Sequence, residues 1–133
     1  MRKPLQNKVA VFILFVFALF ANELTAQTGT LTASPEVVTE FTNENGTGNT
    51  TLSWNREGCE RTLITLVKQK GNKTSKEKIV VNNTHASFSN FPIKYIVNGW
   101  TFTFRLYSGD ADSSKLGDLL DTVVVKGDKN GKK

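Results

Sequence analysis

The residues that could carry acid–base or nucleophilic chemistry are few in this chain, which has one histidine and one cysteine. Hydrolytic catalysis needs a nucleophile, a base and an orienting acid within hydrogen-bond reach of one another. His85 falls in a predicted strand with no nucleophile motif beside it, and its spacing from Cys59 gives no support for a thiol–imidazole pair. Zinc sites need several nitrogen or sulfur ligands. We therefore predict that the chain is not an enzyme, has no catalytic residues and needs no cofactor.

A cluster of acidic residues in the second half of the chain offers the oxygen ligands that calcium prefers. Asp110 and Asp112 stand two residues apart among serines, and Asp118 and Asp121 follow. Calcium loops of this kind need a glycine at their sixth position, where this chain has Lys115. We interpret the cluster as a solvated turn and predict no metal site.

Aromatic side chains outside the core are the remaining candidates for ligand binding, because sugar rings present apolar C–H faces that stack on exposed rings. Tyr107 shares with Arg105 the face of a predicted strand that points away from the core. Trp100 opens that strand, and Tyr95 precedes it. We predict Tyr107, Trp100, Tyr95 and Arg105 as ligand-binding residues.

The elements that must position these residues are short strands separated by turn clusters, and no helical period is sustained. The strongest is the run 100–107, in which aromatic or aliphatic residues alternate with polar ones, so that one face meets the core and the other meets water. Pro35 predicts a break in the first strand, as in an edge strand. The predicted strands are 31–33, 37–41, 50–54, 61–68, 78–81, 84–88, 100–107 and 119–125.

Seven or eight short strands without helices predict an all-β fold of two packed antiparallel sheets. A single sheet closed on itself is the alternative. The inward positions of this sandwich would include Trp54 and Phe102, which removes both rings from the candidate ligand-binding residues.

The N-terminal segment has the pattern of a secretory signal peptide. Basic residues at positions 2, 3 and 8 precede an apolar run at 9–20, and the small residue Ala26 follows at the expected cleavage site. The apolar run is short for a bilayer span, which takes about 20 residues; an uncleaved anchor is the competing interpretation. We therefore expect a secreted or periplasmic protein with no stable membrane insertion after cleavage.

The chain divides into a leader at 1–26, one domain at 27–125 and a basic, disordered tail at 126–133. The formal net charge is +5. The basic excess lies in the leader and the tail, which leaves residues 27–125 formally neutral. A nucleic-acid-binding module would have a basic stripe on its fold, so we predict no nucleic-acid partner.

Three runs resemble fibronectin type III domains and bacterial immunoglobulin-like accessory modules. These runs are Leu-Thr-Ala-Ser-Pro at 31–35, Thr-Leu-Ser-Trp at 51–54 and Gly-Trp-Thr-Phe-Thr-Phe-Arg-Leu at 99–106. The resemblance implies an immunoglobulin-like sandwich, a fold that carries many different binding sites.

Together these features predict a secreted, non-catalytic binding or adhesion module that recognises an extracellular protein or a polysaccharide. Binding would use the loops near Asn98 and at 109–112, or an exposed strand edge. The alternative is a structural subunit of a surface layer or fibre, which assembles through edge strands or through Cys59, since a single cysteine cannot close an intrachain disulfide.

Overall fold

The computed structural model describes residues 27–110 and 115–131, and this part of the chain is all β, without helices. The predicted leader, residue 112 of the acidic cluster and the last two residues lie outside the described residues. The nine strands are β1 (Thr28–Ser34), β2 (Val37–Val38), β3 (Gly48–Glu57), β4 (Arg61–Lys70), β5 (Lys73–Thr74), β6 (Lys78–Asn83), β7 (Ser87–Ile96), β8 (Thr101–Gly109) and β9 (Leu119–Gly127).

The strands form two sheets, which confirms the predicted all-β sandwich. The smaller sheet has the order β1-β3-β7, and the larger has the order β2-β9-β8-β4, with β5 and β6 both paired to β4. Neighbouring strands are antiparallel except for β2 and β9, which run parallel. Strand β1 packs beside β9 across the sandwich. The two edges on the other side, β6 and β7, therefore face each other.

The core lies between the sheets and follows the alternation that the sequence predicts for β8. Phe102, Phe104 and Leu106 are fully buried, whereas Arg105 and Tyr107 point to the outer face and are half-buried. The core side of the smaller sheet comes from β3 and β7, whose buried residues include Leu52, Trp54, Ile93 and Ile96. Burying each such side chain stabilises the fold by roughly 1.5–3 kcal/mol.

The break predicted at Pro35 is present, but the chain changes sheets there. After β1, the two-residue strand β2 pairs with Lys126 and Gly127 of the larger sheet. The predicted continuation to residue 41 is therefore much shorter, and β9 runs two residues past the predicted domain end at 125. The Asp128 amide then donates to the Val38 carbonyl (2.9 Å). Backbone pairing thus extends into the segment that the sequence assigned to the tail.

Strand β7 is the largest departure from the sequence prediction, which placed a strand at 84–88 and none over the rest of β7. Asn90 has a positive φ of 63° and Pro92 has no amide donor, so both read as turn residues. A strand tolerates them here because β7 is an edge with two register shifts against β3. Residues 84–86, including His85, form the loop before it.

Candidate binding surfaces

The four residues predicted to bind ligand lie in three separate places. Arg105 and Tyr107 share the outer face of the larger sheet, Tyr95 lies on the edge strand β7, and Trp100 precedes β8 at one end of the sandwich. The ring of Trp100 is half-buried against the core, and the Lys70 ammonium lies 5.9 Å from its centroid. No single aromatic platform unites the four.

Arg105 and Tyr107 belong to a polar cluster centred on Glu77. The Tyr107 hydroxyl donates to Glu77 Oε2 (2.9 Å), and the Thr65 hydroxyl donates to the same oxygen. Arg105 Nη1 lies 3.5 Å from Glu77 Oε1. The hydrogen bond from Thr65, together with those from Tyr107 and Arg105, lowers the pKa of Glu77 below 4.5. Partial burial acts in the opposite direction and is outweighed. Burial and the Glu77 carboxylate raise the pKa of Tyr107.

Tyr95 lies in a groove between the facing edges β6 and β7, called here the lateral groove. Its volume is about 510 Å³. Leu66 and Val80 line it from the larger sheet, and Val97 lines it just after β7. The Tyr95 ring lies 6.4 Å from that of Phe102, so its inner side meets the core while its outer side meets the groove. Burial raises the pKa of Tyr95 above 10.0.

The lateral groove gathers most of the large apolar surface that the described residues expose. Ile79 is 37% exposed, Tyr95 38% and Val97 39%, and all three line the groove. The other two large hydrophobic residues exposed in the described part, Leu119 and Val124, lie on β9. Scattered apolar residues are normal on a protein surface, whereas a set that lines one concavity is a candidate interaction surface.

Two lysines give the lateral groove a positive charge. Lys68 and Lys78 line it on neighbouring strands, and Lys78 pairs with Leu66 in the backbone register. Within the described residues, neither ammonium forms an ion pair with a carboxylate. The nearest acid in sequence, Glu77, is engaged on the outer face. An apolar groove beside two uncompensated cations suits a ligand with both apolar and anionic groups.

One end of the gap between the β6 and β7 edges, called here the β6–β7 margin, is closed by a buried arginine. Arg56 on β3 is 4% exposed and donates from Nε to Thr62 Oγ1 (2.6 Å). Its Nη1 donates to the Cys59 carbonyl, and its Nη2 donates to the carbonyls of Glu60 (3.2 Å) and Thr84 (3.0 Å). The side chain thereby fastens the β6–β7 loop to the β3–β4 turn, and the lateral groove lies towards the opposite end, near Tyr95.

The His85 carbonyl completes this closed end, accepting hydrogen bonds from the Trp54 indole (3.0 Å) and the Thr62 hydroxyl (2.7 Å). The His85 ring is exposed, with its edge towards Phe88 at 5.5 Å. Cys59 is half-buried. In the described ranges, no group of three or more histidine, cysteine or acidic residues is placed to hold a metal ion.

The sequence analysis missed the basic side of the groove, although a signal for it was present. Five lysines occur between positions 68 and 78, with Glu77 as the single acid. Averaging charge over residues 27–125 hid this local excess. The apolar side had no comparable signal, because Ile79 and Val97 belong to distant parts of the chain that meet only in the folded sandwich.

Comparisons of the chain with protein-family models, with curated proteins and with solved structures find no match. Over residues 27–110 and 115–131, no helix has the length and apolar character needed to cross a bilayer.

Proposed function

We propose that this chain is a secreted, non-catalytic binding module that recognises an extracellular protein through the lateral groove. The observation that carries the proposal is the concentration of exposed apolar side chains, Ile79, Tyr95 and Val97, in one concavity between two strand edges. Burial of such surface against a partner is the main favourable term in protein association.

A protein suits the groove better than a polysaccharide does. Sugar subsites combine an aromatic platform with several polar groups that fix the hydroxyls, whereas the lateral groove is largely aliphatic, with Tyr95 as its one ring. The other tyrosine, Tyr107, already donates its hydroxyl to Glu77. A polysaccharide partner is thus the second choice, and binding to a glycan array that falls on Tyr107→Ala or Trp100→Ala would favour it.

The structural-subunit alternative has weaker support. Assembly through the edges of β1 and β7 is hindered, because the Leu31 amide on β1 already donates to Asp121 Oδ2 (2.7 Å) and Pro92 interrupts the donors of β7. Cys59 is half-buried beside Arg56. We expect a monomer on size-exclusion chromatography with or without reductant; reductant-sensitive oligomers would favour the alternative.

Site-specific photo-crosslinking tests the groove directly. A photoreactive residue at Val97 of the exported protein, irradiated in its native extracellular medium, should give a discrete protein adduct. The matched control is Val124, which is 41% exposed but lies on β9, away from the groove. Unlabelled wild-type protein should compete for the adduct, and a Tyr95→Ser, Val97→Asp variant should not. Equal adducts from both positions, or none from Val97, would contradict the proposal.

Export itself is tested by expressing the full chain and sequencing the N-terminus of the protein recovered outside the cytoplasm. We expect the mature chain to begin at Gln27. Recovery of the uncleaved chain in the membrane fraction would instead favour the signal-anchor interpretation.

A further inference from the structure

We infer that the lateral groove takes an extended, acidic segment of its partner protein, which adds as a new strand along the free edge of β6. The inference rests on the proposed function and specifies the chemistry of the partner. It depends on the backbone edge of β6 and on the charge of the lysines beside it.

Strand β6 has one free edge. One edge of β6 pairs with β4, from Lys78 opposite Leu66 to Asn83 opposite Thr62. No strand of the described chain pairs with its other edge. That edge presents backbone donors and acceptors beside an apolar concavity, which is the arrangement used when a peptide extends a sheet.

The other sheet edges are less suited than β6 to pair with an added strand. On β7, across the groove, Pro92 lacks an amide and the positive φ of Asn90 interrupts the extended backbone. On β1, the Asp121 carboxylate accepts the Leu31 amide and brings a negative charge to the edge. Strand β2 is two residues long. Strand β6 offers an incoming strand six residues with neither a proline nor a positive φ, and its pairing with β4 has one register shift, between Ile64 and Thr65.

The charge of the groove selects the kind of strand. Lys68 and Lys78 line the groove without carboxylate partners in the described residues, and Lys70, Lys73 and Lys76 belong to the same stretch. Because Arg105 and Tyr107 hold Glu77 on the outer face, this acid does not neutralise the groove. An acidic segment would gain attraction at this edge, and a basic one would be repelled.

The test uses synthetic peptides as probes of the full exported chain. One labelled eight-residue peptide alternates valine with glutamate, and a second alternates valine with lysine. By fluorescence anisotropy, the valine–glutamate peptide should bind at least about tenfold more tightly, as expected for two ion pairs gained instead of two repulsions. Its binding should weaken as salt is added. Amide resonances of residues 78–83 should shift when it binds.

Two variants separate this groove from general electrostatics. Lys68→Glu with Lys78→Glu should reverse the preference, so that the valine–lysine peptide binds more tightly. The matched control, Lys126→Glu with Lys129→Glu, changes the net charge equally at exposed positions in and after β9 and should leave the preference intact. Equal binding of the two peptides to the wild-type chain, or reversal by the control pair, would overturn the inference.

Backbone methylation tests strand addition apart from charge. Two further valine–glutamate peptides carry N-methyl groups on alternate amides. One lacks the backbone donors of one edge of the extended peptide, and the other lacks those of the opposite edge. One of them should lose binding, because an added strand pairs through one edge. Unchanged binding of both would overturn strand addition. A discrete Val97 adduct combined with no peptide preference would reject this inference and leave the proposed function standing.

Discussion

The two lateral margins of the sandwich are built in opposite ways. At the β1–β9 margin, Gly29 lets the strand approach so closely that a Cβ there would lie 2.9 Å from Leu106 Cδ2, and Leu120 fills the remaining space. Asp121 accepts the Leu31 amide across the gap. At the β6–β7 margin, the sheets leave a groove of about 510 Å³ with exposed apolar walls.

The two margins differ in how they treat exposed backbone and apolar groups. A carboxylate satisfies a backbone donor on one side, which is a common way to protect an edge strand from pairing. On the other side, Arg56 closes one end of the margin and leaves the end at Tyr95 open. A fold that needed only stability would gain by closing both margins, because exposed apolar surface contributes nothing to the folding free energy.

Removing the Arg56 side chain should have the largest effect on this arrangement. Arg56→Met would leave the buried Thr62 hydroxyl oxygen, and the partly buried carbonyls of Cys59, Glu60 and Thr84, without their charged donor. We expect the free energy of unfolding to fall by at least about 3 kcal/mol, measured by urea denaturation. The exposed Lys94→Met variant is the control and should stay within about 0.5 kcal/mol of wild type. A comparable loss in both would show that Arg56 does not fasten the margin.

A pair of substitutions on β6 should separate its buried side from its groove side. Val81 is 3% exposed in the core, whereas Ile79 pairs with Thr65 of the outer face and is exposed at the rim of the groove. Val81→Thr should lower the free energy of unfolding by about 1–3 kcal/mol, because it buries a hydroxyl that has no hydrogen-bond partner in the core. Ile79→Thr should change the free energy of unfolding by less than about 0.5 kcal/mol. The second variant should nevertheless weaken the Val97 photo-crosslink. Equal destabilisation by the two would mean that Ile79 serves the core.

The closed margin can be opened by removing its carboxylate. Asp121→Ala should lower the free energy of unfolding by about 1–2 kcal/mol, because the Leu31 amide loses a charged acceptor. It should also expose the β1 edge and produce concentration-dependent association in light scattering. Asp121→Asn, which keeps an acceptor oxygen, should lose less and remain monomeric. Association of Asp121→Asn to the same degree would assign the effect to charge alone.

The smallest expected effect is the pH dependence that comes from Glu77. Its pKa in the folded chain lies below 4.5, so the carboxylate contributes stability above the unfolded pKa, and this contribution is lost as the pH falls from 4.5 through the folded pKa. Glu77→Gln should cost about 0.5–1 kcal/mol at neutral pH and should flatten the acid limb of the stability curve. The affinity of the Glu77→Gln variant for the valine–glutamate peptide should equal that of the wild type, because Glu77 faces away from the groove.

Much of the sandwich could be predicted from local pattern. The alternation in β8 identified Phe102 and Phe104 as core residues, and Pro35 correctly marked the end of β1. Strand β7 could not be predicted because Asn90 and Pro92 oppose a strand locally, and pairing with β3 overrides them only in the assembled sheet. β4 was ambiguous for a related reason: Leu63 and Ile64 point to opposite faces, and both are fully buried.

The candidate site was less accessible to sequence analysis than the fold. Tyr95, Trp100, Arg105 and Tyr107 were chosen for their types and strand faces, and the structure distributes them over three places. The hydroxyl of Tyr107 is bound by Glu77, thirty residues away in the chain. Side chains this far apart in the chain become partners only through the pairing and register of their strands. The alternation of polar and apolar residues within one strand does not specify that pairing.

Local sequence pattern is enough to predict the strand class, the inward face of β8 and the excess of lysines between residues 68 and 78, because period-two alternation and charge are properties of neighbouring residues. The packing of the two sheets places β6 opposite β7, brings Asp121 to the Leu31 amide at one margin and lets Arg56 close one end of the other. Those outcomes depend on which edges lie opposite across the core and on how far each side chain reaches. The lateral groove is therefore a property of the packed sheets, although each residue that lines it is visible in the sequence.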